Sequence, residues 1–479
     1  MYSRPAQQFG AFAIASGAKV SVAKLPMRVQ WSFGWARLTQ AACAAVLALI
    51  VGVAPALAQK SEKAERTKTL PADEIQIEKI DLAAAVQRAA AHLLLMQERA
   101  EGQADTELPS EWPYEGVYRS GGKIPIGYRI GGTAIVVTAL VRAPGYGADA
   151  KRTAAIAEGV RFICDQTAHP LMSYEDYDAG YDVRGWGYTY GLLCLCELQQ
   201  QRRVPAGLEK EVARAMKFYA EAIEQTQIPQ VGGWNYARPA GKNKPAAPST
   251  FMTPATVQAL FAARQCGMTV KSETVAKAIA FMESSMAAEG EDAGSVTYAG
   301  PTNTKRPEAI PGSIGRMCVT EATLAMAGKS GEARLTRAVE AFVTHWDELD
   351  KRRQRGGTHE GKYGVAPYYF MFAHHAASQA IAMLPGDDGA AVAKRQSLLD
   401  RCNALLFRVQ AADGSWNDRV FKRSSGYGTA MAVLSINGPA TWIWENHAHA
   451  TNKADAKAKP RAKAEPDAKT GADTEPTVK

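Results

Sequence analysis

The sequence lacks the short signatures that declare a chemistry: no glycine-rich phosphate loop, no His-Glu-x-x-His pair, no Gly-x-Ser-x-Gly elbow and no paired Cys-x-x-Cys. Nucleotide hydrolysis, zinc peptidase, serine hydrolase and zinc-ribbon chemistry lose their usual markers. It also has no uncharged apolar run of the roughly 20 residues that a membrane helix needs. Cysteine is scarce, with seven in 479 residues. Cys164, Cys194, Cys196, Cys318 and Cys402 fall inside apolar helical runs and Cys266 ends another, so buried thiols are expected rather than disulfides. Acidic residues are absent from positions 1–58, which carry Arg4, Lys19, Lys24, Arg28 and Arg37. Five of the eight net positive charges therefore belong to that segment, and the rest of the chain is too nearly balanced to suggest nucleic-acid binding. What is present, 46% hydrophobic and 22% charged residues, is the composition of a folded chain with a sizeable core.

Residues 41–53 form an apolar run preceded by Arg28 and Arg37 and followed by Pro55-Ala56-Leu57-Ala58. That order reads as a secretory signal with an Ala-x-Ala cleavage site. The expectation is an exported protein, periplasmic or extracellular after cleavage near Ala58, whose only membrane contact is through the uncleaved leader. Translation could start at Met1 or at Met27. Residues 59–75 read as a linker, 76–448 as the folded domain and 449–479 as a disordered tail. The tail is built from Lys, Ala, Pro, Asp, Glu and Thr with one larger apolar residue, Val478, and cannot bury a core.

The folded domain repeats. Apolar residues recur at i, i+4, i+7 and i+11 in Leu82/Val86/Ala89/Leu93, Val212/Met216/Tyr219/Ile223, Val275/Ile279/Met282/Met286, Leu335/Val339/Phe342/Trp346 and Leu398/Cys402/Leu405/Val409, with a shorter member at Ile156/Val160/Ile163. Each stripe is flanked by charges, the mark of an amphipathic helix with one wet face. Six apolar segments alternate with them: 133–141, 188–198, 253–263, 318–327, 368–384 and 429–436. Helices apolar nearly all round are buried ones. Six outer and six inner helices predict an all-α fold, an (α/α)6 toroid whose inner ring walls a cavity. Loops such as Arg184-Gly185-Trp186-Gly187-Tyr188, Gly232-Gly233-Trp234-Asn235-Tyr236 and Asp413-Gly414-Ser415-Trp416 precede the inner helices. Their tryptophans serve either as staples between repeats or as binding residues at the cavity mouth.

On these residues the chain resembles a family. Gln410-Ala411-Ala412-Asp413-Gly414-Ser415-Trp416 is similar to the Gln-Trp repeat of squalene and oxidosqualene cyclases, and Ser425-Gly426-Tyr427-Gly428-Thr429 to the inner-helix repeat shared with protein prenyltransferase β subunits. The resemblance implies the toroid and, with it, terpenoid or prenyl chemistry. Two departures weigh against that chemistry. Where the cyclases carry an Asp cluster before Thr-Ala, this chain has Arg129, Gly131 and Gly132 before Thr133-Ala134, and none of these is the strong acid that alkene protonation needs. Where the prenyltransferases carry a zinc-binding His, Gly428 stands. No cofactor and no metal site are expected.

The expectation is thus a binding protein rather than a cyclase, taking a small apolar or glycan ligand, or an exported protein partner, in the cavity or at its rim. The alternative is an enzyme using other carboxylates, with Asp178, Asp182, Glu321, Glu360, Asp413 and Asp418 as candidates. The candidate ligand-binding residues are Tyr128, Arg129, Trp186, Tyr188, Trp234, Tyr236, Glu321, Tyr368, Tyr369, His375, Trp416 and Tyr427. Tyr368, Met371, Phe372 and His375 share one helical face and could wall the cavity with aromatic rings and a titratable group. Glu321 lies in an apolar helix and needs a partner, for which Arg129 and Arg316 are candidates.

Overall fold

The computed structural model describes residues 66–175, 177, 183–236, 238 and 241–444. The leader, the tail and the carboxylates Asp178 and Asp182 lie outside the described residues. Twelve α-helices alternate between an outer and an inner ring, and among the described residues β-structure is confined to isolated bridges. The outer helices are α1 (Leu82–Leu95), α3 (Ala150–Asp165), α5 (Glu209–Gln225), α7 (Ser272–Ser284), α9 (Glu332–Asp350) and α11 (Gly389–Phe407). The inner helices are α2 (Ile126–Arg142), α4 (Arg184–Gln200), α6 (Met252–Gln265), α8 (Ile310–Met326), α10 (Tyr369–Ala382) and α12 (Ser425–Ile436). Local chemistry sets several outer starts: Asp81, Asp149 and Asp388 each accept a hydrogen bond from a first-turn amide.

The inner ring closes. Helix α2 packs on α4, α4 on α6, α6 on α8, α8 on α10, α10 on α12, and α12 returns to α2. The fold is an (α/α)6 toroid. Most inner helices pack more on the outer helix that follows than on the one that precedes, α10 being the exception in favour of α9, and α1 docks on α12 more than on its own neighbour α2. The two ends of the domain thus join in one hairpin that fastens the ring, a pairing that a reading along the chain assigns to successive helices.

A repeated device ties outer to inner helices. The indole Nε1 of Trp112, Trp234 and Trp416 donates to a carbonyl near the end of an outer helix (Leu93, Ile223 and Leu406, at 2.6, 2.7 and 2.9 Å). The backbone N–H of the same tryptophans donates to Thr133, Thr253 and Thr429 on the inner helices. In two of these repeats the glycine before the threonine allows the approach: a Cβ on Gly132 or Gly428 would lie 2.4 Å from the carbonyl oxygen of Trp112 or Trp416. Burial of these indoles with every polar atom satisfied is a packing role.

Three sequence expectations are corrected here. The segment 184–188 is not a loop but the first turn of α4, where a Cβ on Gly185 would lie 3.1 Å from the Asn235 carbonyl oxygen and one on Gly187 3.1 Å from Gly127. Residues 66–70, expected in a free linker, are tied down: Thr67 N–H donates to Gln354, Thr69 to Asp350, and Leu70 exchanges hydrogen bonds with Arg408 at the end of α11. Glu321 pairs with neither expected arginine. Arg129 is held by Glu111 and Arg316 by Glu308, while Glu321 accepts from Arg334 at 3.0 Å and Ser330 at 2.5 Å. All six described cysteines are free thiols. No described helix is long and apolar enough to cross a membrane.

Candidate functional site

The inner helices all run the same way, so their N-terminal residues converge at one end of the ring. There Tyr128 of α2, Trp186 and Tyr190 of α4, Met252 of α6, Phe372 of α10 and Tyr427 of α12 meet loop residues Tyr114, Tyr118, Tyr236, Phe251, Tyr298, Tyr368 and Arg419 around a cleft of about 720 Å³, its open mouth included. The rings form a continuous wall. Tyr114 lies 4.6 Å from Tyr427 and 5.0 Å from Tyr128, Tyr128 lies 5.4 Å from Trp186, and Trp186 lies 4.9 Å from Tyr190. Phe251 joins the opposite side, 5.9 Å from Tyr368 and 4.7 Å from Phe372.

A chain of hydroxyls crosses the rim. Tyr118 donates to Tyr236 (3.3 Å), Tyr236 and Tyr298 are 2.9 Å apart, Tyr298 and Tyr368 are 3.3 Å apart, and Tyr368 meets His359 Nε2 at 3.0 Å. His359 Nδ1 lies 3.1 Å from both the Gly364 carbonyl and the Tyr369 hydroxyl. Desolvation, ahead of the field of Arg316, holds the His359 pKa below the usual histidine value and keeps that ring neutral.

Beneath the aromatic wall stand Asp418 and Arg419, two neighbouring ionic groups that are 0% and 2% exposed. Asp418 Oδ2 accepts weakly from the Met371 amide (3.4 Å), while Oδ1 has no partner among the described residues. Burial, opposed by the charge of Arg419, pushes the Asp418 carboxyl up to about 6. The Arg419 Nε and Nη1 atoms likewise find no partner among the described residues, and the guanidinium lies 5.9 Å from the Tyr368 ring and 5.8 Å from that of Phe421.

The cavity continues down the ring axis. Tyr190 and Phe372 also border a second space of about 300 Å³ lined by Gln258, His375 and Gln379, and below it a third of about 490 Å³ is floored by Pro439, Ala440 and Trp442. His375 stands half-buried at the junction of these two, its pKa lowered to about 4 by desolvation first and by Arg142 second.

The structure brings Tyr128, Trp186, Tyr236, Tyr368 and Tyr427 together on the cleft wall. The other candidate ligand residues stand elsewhere. Tyr369 is behind the wall, stacked on Phe251 at 4.5 Å, and His375 lines the axial spaces instead of the mouth. Tyr188 points outward and donates to Met172 O at 2.7 Å. Arg129 and Glu321 are consumed by ion pairs, and Trp234 and Trp416 are staples. Sequence reasoning passed over Tyr114, Tyr118, Tyr190, Tyr298 and Arg419. Their signal was position: Tyr114, Tyr118, Tyr298 and Arg419 all lie in segments leading into inner helices.

The places of the two family devices are closed. A Cβ on Gly131 would meet the Trp186 ring at 2.3 Å, one on Gly132 the Trp112 carbonyl, and one on Gly428 the Trp416 carbonyl. No acid or histidine fits at these positions without moving Trp186 or the staples Trp112 and Trp416.

The sequence matches no protein-family model and no curated protein. Solved structures with a similar fold include an α-1,6-mannanase of Salegentibacter sp. in complex with α-1,6-mannotriose (9% identity, TM-score 0.47, covering 74% of this chain and 99% of that one). Two others are unsaturated glucuronyl hydrolases, from Bacillus sp. GL1 (11%, TM-score 0.47, 75% and 97%) and from Streptococcus agalactiae (12%, TM-score 0.48, 78% and 93%). These are glycan-active enzymes rather than cyclases or prenyltransferases. At such distances the likeness concerns the helical ring and carries no assignment of activity.

Proposed function

We propose that the protein is an exported toroid that takes the rings of a saccharide into its aromatic mouth. The observation that carries this reading is the chemistry of the wall. It is made mostly of tyrosine, joined by Trp186, Phe251 and Phe372, with Val117 and Met252 its only aliphatic side chains among the described residues. Flat rings stack on the faces of sugars, and phenol hydroxyls exchange hydrogen bonds with sugar hydroxyls. A terpenoid hydrocarbon would desolvate those phenols without replacing their bonds, at a cost of roughly 1–3 kcal/mol for each. The test is calorimetric titration of a panel of oligosaccharides into wild type and Trp186→Ala. Binding weakened about tenfold or more in the variant, with its fold unchanged by circular dichroism, is the expected result. Saccharides that fail to bind wild type, or bind both proteins alike, would remove the reading.

A second reading, in which the saccharide is also cleaved, is supported by Asp418. A carboxyl that keeps its proton to about pH 6 is suited to donate it to a leaving oxygen. Glycoside hydrolysis needs a second carboxylate, and Asp178 and Asp182, which follow Tyr177 closely in sequence, are the residues to test. Release of reducing ends that disappears in Asp418→Asn and in either Asp178→Asn or Asp182→Asn is the expected outcome of turnover. Unchanged release in all three variants would confine the protein to binding.

A further inference from the structure

We infer that the ligand of the aromatic mouth carries an oxyanion, a carboxylate or a sulfate ester, and that Arg419 recognises it. The inference rests on the saccharide reading and adds the charge of the substrate class. Other arginines at this end of the ring are already neutralised: Arg129 by Glu111, Arg119 by Glu115, Arg316 by Glu308, Arg352 by Glu360 and Arg423 by Glu98. Among the described residues Arg419 differs from these. Its side chain lines the cleft and is buried, yet two of its three nitrogens make no hydrogen bond among the described residues.

Asp418, next to it in sequence, forms no ion pair with it within 4.0 Å and has an unpartnered oxygen of its own. A guanidinium removed from water without a partner costs several kcal/mol, so the site gains most from a ligand that completes it. A planar guanidinium suits a carboxylate or sulfate, which can accept two parallel N–H bonds. Its surroundings favour the same sign: helices α2, α4, α6 and α12 present their N-terminal ends to this cleft, and their dipoles add positive potential there. Among the described residues the cleft wall contributes no carboxylate to oppose it.

The experiment is a calorimetric titration with four probes: trigalacturonate, a sulfated disaccharide, neutral maltotriose and naphthoate, an aromatic carboxylate that is not a sugar. Wild type is compared with Arg419→Gln and Arg419→Lys at low and moderate salt, each variant checked by thermal melting. The expected result is that the acidic saccharides bind wild type at least about tenfold more tightly than maltotriose, and that Arg419→Gln abolishes this preference while leaving maltotriose within about twofold. Arg419→Lys keeps the charge without the fork and should fall between the two.

Either acidic saccharide bound in this way upholds the inference, and a preference between carboxylate and sulfate names the oxyanion. Acidic and neutral sugars bound equally by wild type, or weakened equally by Arg419→Gln, overturn the inference and leave the saccharide reading standing. Naphthoate bound in an Arg419-dependent way with no sugar bound upholds the oxyanion and overturns the saccharide. No binding by any probe overturns both.

Discussion

The two ends of the ring are built from the same twelve helices and have opposite character. At the mouth, residues from the first turns of the inner helices face a cleft of phenols with an unpaired Arg419. At the base, later residues of the same helices are tied together and covered. Arg142 of α2 pairs with Glu197 of α4 and also holds the Gly438 carbonyl, and residues 437–444 cross the opening as a strap. Trp444 ends the strap, packed 5.1 Å from Phe261 with the Arg264 guanidinium 4.0 Å over its ring and its N–H on the Met326 carbonyl. The ionic groups Arg142 and Glu197 at the base are paired within the protein, whereas Arg419 at the mouth is left for something else. The difference locates stability at one end and recognition at the other, a common division in ring folds, where loops vary on a fixed scaffold.

The contrast breaks if the base tolerates change. Glu197→Ala leaves the partly buried Arg142 without its carboxylate and should cost roughly 2–3 kcal/mol, read as a lowered urea midpoint. A loss below about 1 kcal/mol would mean that the strap is not fastened there. Asp418→Asn at the mouth should act in the opposite direction. Its folded-state pKa of about 6 lies above the ordinary carboxylate value, so burial costs nothing at low pH, where the group is protonated in both states. The cost grows as pH rises through the ordinary carboxylate range and is complete above about 6, where the buried group must ionise. The variant should therefore be more stable than wild type at pH 8, by up to about 3 kcal/mol, and equal to it near pH 3. Urea melts at the two pH values check this, and no gain at pH 8 would show that Asp418 finds a partner in solution.

The smallest effect sharpens the comparison. Trp186→Ala removes a wall residue that is only partly buried and should change stability by about 1 kcal/mol or less, while weakening any ring-stacking ligand. Trp416→Ala removes a staple and should cost about 3–5 kcal/mol. If the two variants melt alike, the distinction between wall and staple fails.

The same two tryptophans mark the boundary of what could be read along the chain. Both belong to Gly-Trp-like segments before inner helices, and nothing in their spacing separates them. Trp416 precedes its helix and turns inward on the Leu406 carbonyl, whereas Trp186 lies in a helical turn where its ring covers Gly131 of the neighbouring helix. Likewise Tyr368 and Tyr369 are adjacent, but the helix sends one to the cleft and the other behind it.

The sequence by itself determined the twelve helices, their alternation between amphipathic and wholly apolar, and hence the double ring, because periodicity is local and burial follows from it. It also marked the aromatic segments that supply part of the wall. Only the tertiary structure decided that α1 closes the ring against α12, that the hydroxyls of Tyr118, Tyr236, Tyr298 and Tyr368 meet from four repeats, and that Arg419 lacks the carboxylate given to Arg129 and Arg316. Those are contacts between residues tens to hundreds of positions apart. They depend on how the ring closes, and no local pattern of residues encodes that closure.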